Sequence, residues 1–200
     1  MLGIGRGSME LIVEQNKSRL AQVRLLALDV DGVLTDGGVY YDSAGTEAKR
    51  FHIQDGLGLV LARLSGLLII WITGRTSPIV ERRAQELQVA QLVQGVRNKA
   101  ETLAQIAADF NIPSEHIAYM GDDLNDLPAL RWAGIPLAPA NARPEVRAVA
   151  YYTTTVAGGS GAVREVIDLI LQARGNYDTT LQAYDRFLTE PPAPTPEAVQ

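Results

Sequence analysis

The sequence predicts an α/β protein with a Rossmann-like, doubly wound parallel sheet, and three observations support this fold class. Short apolar runs recur along the chain, helical patterns stand between them, and polar residues follow several runs at their carboxyl ends. Such short apolar runs are typical of strands that are buried on both faces of a parallel sheet. The predicted strands cover residues 25–31, 67–73, 89–93, 117–120, 135–138 and 149–153.

Amphipathic segments between the apolar runs predict the helices. Ser77 and Pro78 are a typical N-cap and first-turn proline before a helix over residues 79–87. Asn98 and Glu101 resemble a capping box at the start of a second helix, whose apolar residues share one face. Two further helices are predicted over residues 10–20 and 163–173.

One stretch interrupts the alternation of strands and helices. A turn sequence over residues 42–45 separates two strand-like segments, so we predict a small β-hairpin insertion over residues 37–53. The end of the chain is rich in proline and poor in apolar residues, which is typical of a flexible segment. We therefore divide the chain into an N-terminal extension (1–24), one main domain (25–174) and a flexible tail (175–200).

Composition limits the classes of function. Apolar residues make up 46% of the 200 residues and charged residues 20%, which is typical of a soluble globular domain. The net charge of −5 has no like-charge block, so we expect neither nucleic acid nor a membrane surface as a partner. The absence of cysteine excludes disulfides, thiolate metal sites and cysteine nucleophiles. We see no signal-peptide or membrane-spanning pattern, and we expect a cytoplasmic location.

Polar residues follow three of the predicted strands where each strand ends. Asp29 and Asp31 close the first strand, Thr73 closes the second and Asp122 follows the fourth. In an open parallel sheet, ligands bind beyond the carboxyl ends of the strands, so these side chains are expected to meet at one edge. Carboxylates at such an edge, together with a substrate phosphate, are typical magnesium ligands.

The spacing of Asp29 and Asp31 indicates two carboxylates that can act on the same phosphorus atom. Residues two apart in an extended strand point the same way, so one carboxylate can attack phosphorus while the other protonates the leaving oxygen. Lys99 lies in the first turn of a predicted helix, where a cation gains nothing from the helix dipole. A phosphate group beside Lys99 would explain its position.

Four short segments resemble the motifs of the haloacid dehalogenase superfamily, in the same order. They are residues 29–35, residues 72–75, Lys99 and residues 121–126, and the resemblance covers roughly residues 25–174. This resemblance implies a magnesium-dependent phosphoryl transfer enzyme that forms a phospho-aspartyl intermediate. The motifs by themselves leave phosphomutases open, although an aspartate two residues after the nucleophile favours rapid hydrolysis.

The resemblance also implies a role for each motif residue. The catalytic residues would be Asp29 as nucleophile, Asp31 as general acid and base, and Thr73 and Lys99 as phosphoryl contacts. The magnesium ligands would be Asp29, Asp31 through its backbone carbonyl, and Asp122, with Asp126 supporting the metal site or Lys99 from behind. The implied substrate-binding residues are Gly74, Arg75, Asp55, Gly56 and Arg83.

A cap domain would lie between Asp31 and Thr73 or between Lys99 and Asp122, and neither stretch is long enough to hold one. In this respect the chain resembles the capless branch of the superfamily. Members of that branch assemble as homotetramers, and the hairpin is the expected contact. Within the branch, the chain resembles the family that hydrolyses 3-deoxy-D-manno-octulosonate 8-phosphate in lipopolysaccharide biosynthesis. The alternatives are a nonulosonate 9-phosphate or a nucleotide as substrate, and a non-catalytic regulatory module of a sialic-acid-activating enzyme.

Overall fold

A computed structural model of the protein describes residues 18–189. The strands are β1 (Leu25–Leu28), β2 (Tyr40–Tyr41), β3 (Glu47–Ala48), β4 (Leu68–Ile72), β5 (Gln91–Val93), β6 (Ile117–Met120), β7 (Ile135–Ala138) and β8 (Tyr152–Thr153). The α-helices are α1 (Ile53–Leu64), α2 (Pro78–Glu86), α3 (Lys99–Asp109), α4 (Leu127–Trp132), α5 (Pro144–Arg147), α6 (Ala162–Ala173) and α7 (Tyr177–Thr189). Two 3-10 turns cover Ser114–His116 and Leu124–Asp126.

Six strands form a parallel sheet in the order β5-β4-β1-β6-β7-β8. The first strand lies near the centre, and its last residue, Leu28, is in register with Trp71 of β4 and Met120 of β6. After β1, the strands β4 and β5 extend the sheet on one side, and β6, β7 and β8 extend it on the other. The strand order therefore reverses at β1, whose carboxyl end is the expected ligand site of this fold. The predicted doubly wound parallel sheet is confirmed.

Helices cover both faces of the sheet because the strand residues alternate between two apolar cores. Leu26 and Leu28 belong to one core, with residues of α1 and α6, whereas Leu25 and Ala27 belong to the other, with residues of α3 and α4. All four side chains of β1 are fully buried. This double burial fixes the backbone of β1, and with it the position of the residues that follow.

Helix α1 has a weak sequence signal because it contains two glycines near its start, and glycine is unfavourable inside helices. The packing explains both residues. A Cβ atom at Gly56 would lie 2.5 Å from Nη2 of Arg83, and one at Gly58 would lie 3.0 Å from Cδ of Arg164. The glycines thus allow two arginine side chains to pack closely on α1, and this tertiary contact outweighs the poor helix propensity.

The expected flexible tail is wrong for residues 177–189, which form helix α7. Thr180 is buried, and Tyr177 and Tyr184 pack against the core that α1 and α6 share. The guanidinium of Arg63 on α1 also lies 5.8 Å from the ring centre of Phe187. Aromatic side chains at helical spacing therefore dock this segment on the domain. The proline-rich run and most of the N-terminal extension, including most of the predicted helix over 10–20, lie outside the described residues.

The predicted hairpin is present, although its paired strands are short. Strands β2 and β3 pair antiparallel, and the Asp42 carboxylate accepts backbone hydrogen bonds from Ala44 and Thr46 in the turn between them. Only this hairpin and helix α1 separate β1 from β4, so the described chain holds no cap domain there. Within residues 18–189, no helix combines the length and apolar character that crossing a bilayer requires.

Candidate active site

The centre of the site is an ion-paired cluster at the carboxyl end of β1. Asp29 follows β1 directly, and its backbone N–H donates to the carbonyl of Met120. The Nζ atom of Lys99, from the first turn of α3, lies 2.8 Å from Oδ1 of Asp29 and 2.7 Å from Oδ1 of Asp126. The residues Asp29, Lys99 and Asp126 are each at most 5% exposed. The structure therefore brings the predicted nucleophile and the predicted cation together.

Asp126 is fixed from every side. Its Oδ1 accepts hydrogen bonds from Lys99 and from the hydroxyl of Tyr119, each at 2.7 Å. Its Oδ2 accepts the backbone N–H groups of Asp122 and Asp123 at 3.0 and 3.2 Å. Four donors use the whole acceptor capacity of this carboxylate. Asp126 therefore holds the ammonium group of Lys99 and the backbone of the loop after β6.

The sequence did not identify Tyr119 as a residue of the site. It lies inside β6, in an apolar run that reads as plain core, and its ring is fully buried. Burial, together with the charge of Asp126, raises the pKa of Tyr119, so the phenol remains a hydrogen-bond donor. A buried tyrosine normally needs a partner for its hydroxyl, but the sequence does not reveal which residue provides it.

Asp122 completes a set of three carboxylates. Asp29, Asp122 and Asp126 each offer an oxygen within 4.8 Å of the others. A Cβ atom at Gly32, whose φ is +92°, would collide with the Asp122 carboxylate, so glycine is required for this approach. Within the described residues, Oδ1 of Asp122 is buried and has no hydrogen-bond partner. An unpaired buried carboxylate oxygen beside other carboxylates fits a hard divalent cation such as magnesium.

The electrostatics of the cluster also favour an added cation. Burial raises the pKa of Asp29 to about 7, with help from the charge of Asp126, although Lys99 acts in the opposite direction. Burial and the charges of Asp29 and Asp126 raise the pKa of Asp122 to about 7. Lys99 loses solvation on burial, but these carboxylates outweigh that loss and raise the pKa of Lys99. One lysine among three carboxylates leaves an excess of negative charge.

Thr73 and Arg75 lie on the loop that follows β4, the strand that pairs with β1. Thr73 is buried, and its hydroxyl oxygen accepts the backbone N–H of Arg75 at 3.3 Å. Gly74 is exposed between them, and a Cβ atom there would lie 3.4 Å from the carbonyl oxygen of Val96. The neighbouring Ser77 begins α2 as predicted, but its hydroxyl makes no capping bond and donates instead to Glu47.

Asp31 stands apart from the three clustered carboxylates. Its Oδ1 is ion-paired with Lys49 of the hairpin, and its Oδ2 lies 3.8 Å from Nε of Arg75. Lys49 and Glu47 were not among the predicted site residues. Their spacing of two on a strand was the available signal, since it directs both side chains to one face. The sequence did not show which face the hairpin would present to the site.

Two predicted substrate contacts have structural partners in the described residues. The Asp55 carboxylate accepts the backbone N–H groups of Gly161 and Arg164 at 3.2 and 2.8 Å, and Asp55 is 1% exposed. Gly56 packs under the guanidinium of Arg83, which also pairs with Glu86. These contacts join α1 to the start of α6 and to α2. They favour a structural role for Asp55 and Gly56 over a substrate contact.

The glycine run at residues 158–161 packs against the loop that follows β1. The N–H of Gly159 donates to the carbonyl of Val33, and a Cβ atom at Gly158 would collide with the carbonyl of Gly32. Asn141 joins the two loops, because its side chain donates to Gly32 and accepts from Gly158. The run therefore supports the backbone beside Asp29 from within the same chain.

Comparisons with known proteins agree with this geometry. A family model for haloacid dehalogenase-like hydrolases matches residues 71–167. The chain is 42% identical over 161 residues to 3-deoxy-D-manno-octulosonate 8-phosphate phosphatase KdsC of Escherichia coli K12, which covers 80% of this chain and 86% of the relative. The fold and the carboxylate cluster thus belong to a haloacid dehalogenase-like hydrolase. Within that class, the chain belongs to the family of 3-deoxy-D-manno-octulosonate 8-phosphate phosphatases.

Solved structures of the same family are similar over most of this chain. The phosphatase of Moraxella catarrhalis, in complex with magnesium, phosphate and KDO, is 43% identical with a TM-score of 0.83, over 86% of this chain and 98% of that chain. The cobalt-bound phosphatase of Haemophilus influenzae is 35% identical with a TM-score of 0.79, over 83% of this chain and 98% of that chain.

Proposed function

We propose that this protein is a magnesium-dependent phosphatase that hydrolyses 3-deoxy-D-manno-octulosonate 8-phosphate through a phospho-aspartyl intermediate on Asp29. The observation that carries this proposal is the buried cluster of Asp29, Lys99, Asp122 and Asp126 at the end of β1. Magnesium and phosphate occupy the solved relative from Moraxella catarrhalis together with KDO. The activity would place the protein in lipopolysaccharide biosynthesis.

Asp29 is the group that attacks. A carboxylate oxygen of Asp29 forms a bond to phosphorus while the bond between phosphorus and the sugar oxygen breaks. Lys99 and Thr73 offset the negative charge of the transferring phosphoryl oxygens. A divalent cation held by Asp29 and Asp122 would supply the remaining positive charge, and the backbone carbonyl of Asp31 is the third predicted ligand.

Asp31 moves the protons in both halves of the reaction. It donates a proton to the departing sugar oxygen, and it then accepts a proton from the water that attacks the phosphorus of the phospho-aspartate. The second step releases inorganic phosphate and restores the Asp29 carboxylate. Arg75 lies at the entrance beside Asp31, with its side chain 44% exposed, and we assign it to the carboxylate of the sugar acid.

The exposed apolar residues of the hairpin support a homotetramer. Val39, Tyr40 and Tyr41 are 53%, 46% and 62% exposed, and neighbouring Ile53 is 78% exposed. Exposed apolar groups and the free edges of a short hairpin favour pairing with other copies of the chain. Light scattering tests this assembly, and a fully active monomer would contradict it. We also propose a cytoplasmic location, which cell fractionation tests.

A substrate panel tests the proposed function. The sugar-acid 8-phosphate, a nonulosonate 9-phosphate, a nucleotide and an aryl phosphate are each assayed with magnesium, and then with EDTA. We expect the highest kcat/KM for 3-deoxy-D-manno-octulosonate 8-phosphate and no turnover of any substrate with EDTA. Preference for another phosphate would contradict the proposed substrate. No turnover of any ester would favour a non-catalytic regulatory module, and full activity with EDTA would contradict the magnesium site.

A further inference from the structure

Four side chains of alternating charge form a closed ring at the entrance of the site. Asp31 is paired with Lys49, and Nζ of Lys49 lies 3.6 Å from Oε1 of Glu47. The same Glu47 oxygen accepts Nη2 of Arg75 at 2.8 Å. Arg75 returns to Asp31, because its Nε lies 3.8 Å from Oδ2 of that carboxylate. Every charge in the ring therefore lies next to two charges of opposite sign.

The hairpin supplies two of the four residues of this ring, Glu47 and Lys49, and both are held in place by contacts with the main domain. Glu47 lies in β3 and Lys49 directly follows this strand, and the distance of 3.6 Å between Nζ of Lys49 and Oε1 of Glu47 shows that both side chains lie on the same side. The side chain of Lys49 is only 2% exposed. Glu47 is also held by the hydroxyl of Ser77, which donates to its Oε2 at 2.7 Å. Ser77 is itself buried at the start of α2.

The two functional residues of the ring need such a support. The side chains of Asp31 and Arg75 are 25% and 44% exposed, and long or exposed side chains lose rotamer freedom when they are held in one geometry. Asp29, in contrast, is fixed by its strand and by Lys99. Charge-assisted hydrogen bonds are stronger than neutral ones and restrict direction, so the hairpin can hold Asp31 and Arg75 in place before a substrate arrives.

We propose that Glu47 and Lys49 are positioning residues, which fix the proton-transfer group Asp31 and the substrate contact Arg75 relative to each other. Lys49 acts through Asp31, and Glu47 acts through Lys49 and Arg75. Neither residue exchanges a proton with the substrate. This inference rests on the proposed phosphatase function, but it does not depend on which phosphate ester is the natural substrate.

The test compares two leaving groups in variants of the full-length protein with magnesium. Departure of an alkoxide needs protonation by Asp31, whereas departure of p-nitrophenolate needs it much less. For Lys49→Met, we expect kcat/KM to fall about tenfold with an alkyl phosphate and by no more than about twofold with p-nitrophenyl phosphate, since acid catalysis contributes roughly a hundredfold or more. Lys49→Arg should recover most of the loss.

The adjacent Arg50 provides a matched control. Its side chain is 59% exposed, and it pairs only loosely with Asp36, at 3.7 Å. Arg50→Met also removes one cation from the hairpin, yet it should leave kcat/KM of both substrates within about twofold. Equal losses on both substrates for Lys49→Met, or no loss on either, would overturn the proposal. If Lys49→Met does not fold, Glu47→Gln decides, because it keeps the shape of Glu47 and should show the same leaving-group pattern.

A second measurement uses the Asp31→Asn background. If Lys49 acts through Asp31, adding Lys49→Met to Asp31→Asn should change kcat/KM by less than about twofold, because the effects of residues that act as a unit do not multiply. A further tenfold loss in that background would contradict the inference. The alkyl phosphate is any ester that the wild-type protein accepts. Failure of the proposed sugar-acid substrate would therefore appear in the wild type, separately from the result for Lys49.

Discussion

The active site has two halves that are built in different ways. The half around Asp29, Lys99 and Asp126 is buried, stands on the end of a central strand and is held by short ion pairs. The half around Asp31 and Arg75 is partly exposed, and its supports come from a two-stranded hairpin outside the main sheet. The same sequence motif supplies Asp29 and Asp31, yet their carboxylates belong to different environments.

This difference separates phosphoryl transfer in the buried half from proton transfer and substrate selection in the partly exposed half. A buried cluster with fixed dipoles and charges stabilises charge that develops on a phosphoryl group, because it needs no reorganisation during the reaction. A partly exposed rim on a small insertion can contact the variable part of a substrate. We therefore expect changes in the buried half to affect both stability and turnover, and changes in the rim to affect turnover with little effect on stability.

The largest effect is expected at Asp29 in the buried half. Asp29→Asn removes the attacking oxygen charge and should lower kcat at least about 10⁴-fold, which corresponds to more than about 5 kcal/mol in the barrier. Asp123→Asn is the matched control, because Asp123 is exposed and asparagine also caps the turn that it begins. It should keep kcat within about threefold. Residual activity of a tenth in Asp29→Asn would contradict nucleophilic catalysis by this residue.

Asp126 tests whether the buried half also stabilises the fold. Asp126→Asn breaks a buried ion pair and leaves some of its four donors without a charged acceptor, so the free energy of unfolding should fall by about 3 kcal/mol. Urea unfolding at fixed magnesium concentration measures this change. Asp109→Asn is the control, because Asp109 is exposed and accepts only Gln105 among the described residues, and it should change stability by less than about 0.5 kcal/mol.

Magnesium should stabilise the protein through the same half of the site. The carboxylates of Asp29, Asp122 and Asp126 outnumber Lys99, and a cation that binds only the folded state offsets that repulsion. At a magnesium concentration a hundredfold above its dissociation constant, the free energy of unfolding should rise by about 2.7 kcal/mol. Asp122→Asn should lose most of this gain in a thermal shift assay. An equal gain in that variant would show that the ion binds elsewhere.

The smallest effect on stability is expected in the rim. Arg75 has a side chain that is 44% exposed, and such a partly exposed pair with Glu47 contributes at most about 1 kcal/mol. Arg75→Met should therefore change the free energy of unfolding by less than about 1 kcal/mol while it lowers kcat/KM for the sugar-acid phosphate. A loss of stability as large as that of Asp126→Asn would remove the distinction between the two halves.

The buried half was predictable from sequence because its residues follow directly from strand ends. The strand β1 reads as an apolar run, and the topology of a parallel sheet then brings Asp29, Thr73 and Asp122 to one edge. Lys99 stood out as a cation in the first turn of a helix. Tyr119 was hidden because a tyrosine in an apolar strand indicates core and does not identify its hydrogen-bond partner.

The rim and two helices were harder to predict for reasons of packing. The pairing of Lys49 with Asp31 depends on how the hairpin folds back over the sheet, and no local pattern encodes that direction. Helix α1 was obscured by Gly56 and Gly58, which serve contacts with distant arginines. Helix α7 was obscured by the proline-rich sequence that follows it. In each case, a long-range contact outweighs the local signal.

The central claim is that Asp29 carries the phosphoryl group between the two steps. Mixing the protein and magnesium with excess substrate, followed by acid quenching within milliseconds and borohydride reduction, converts an aspartyl phosphate to homoserine, which peptide mass spectrometry then locates. We predict homoserine at position 29 and at no other aspartate, with none in Asp29→Asn. Homoserine at the position of another aspartate would contradict this claim. So would the absence of homoserine at position 29 while a burst of product is released.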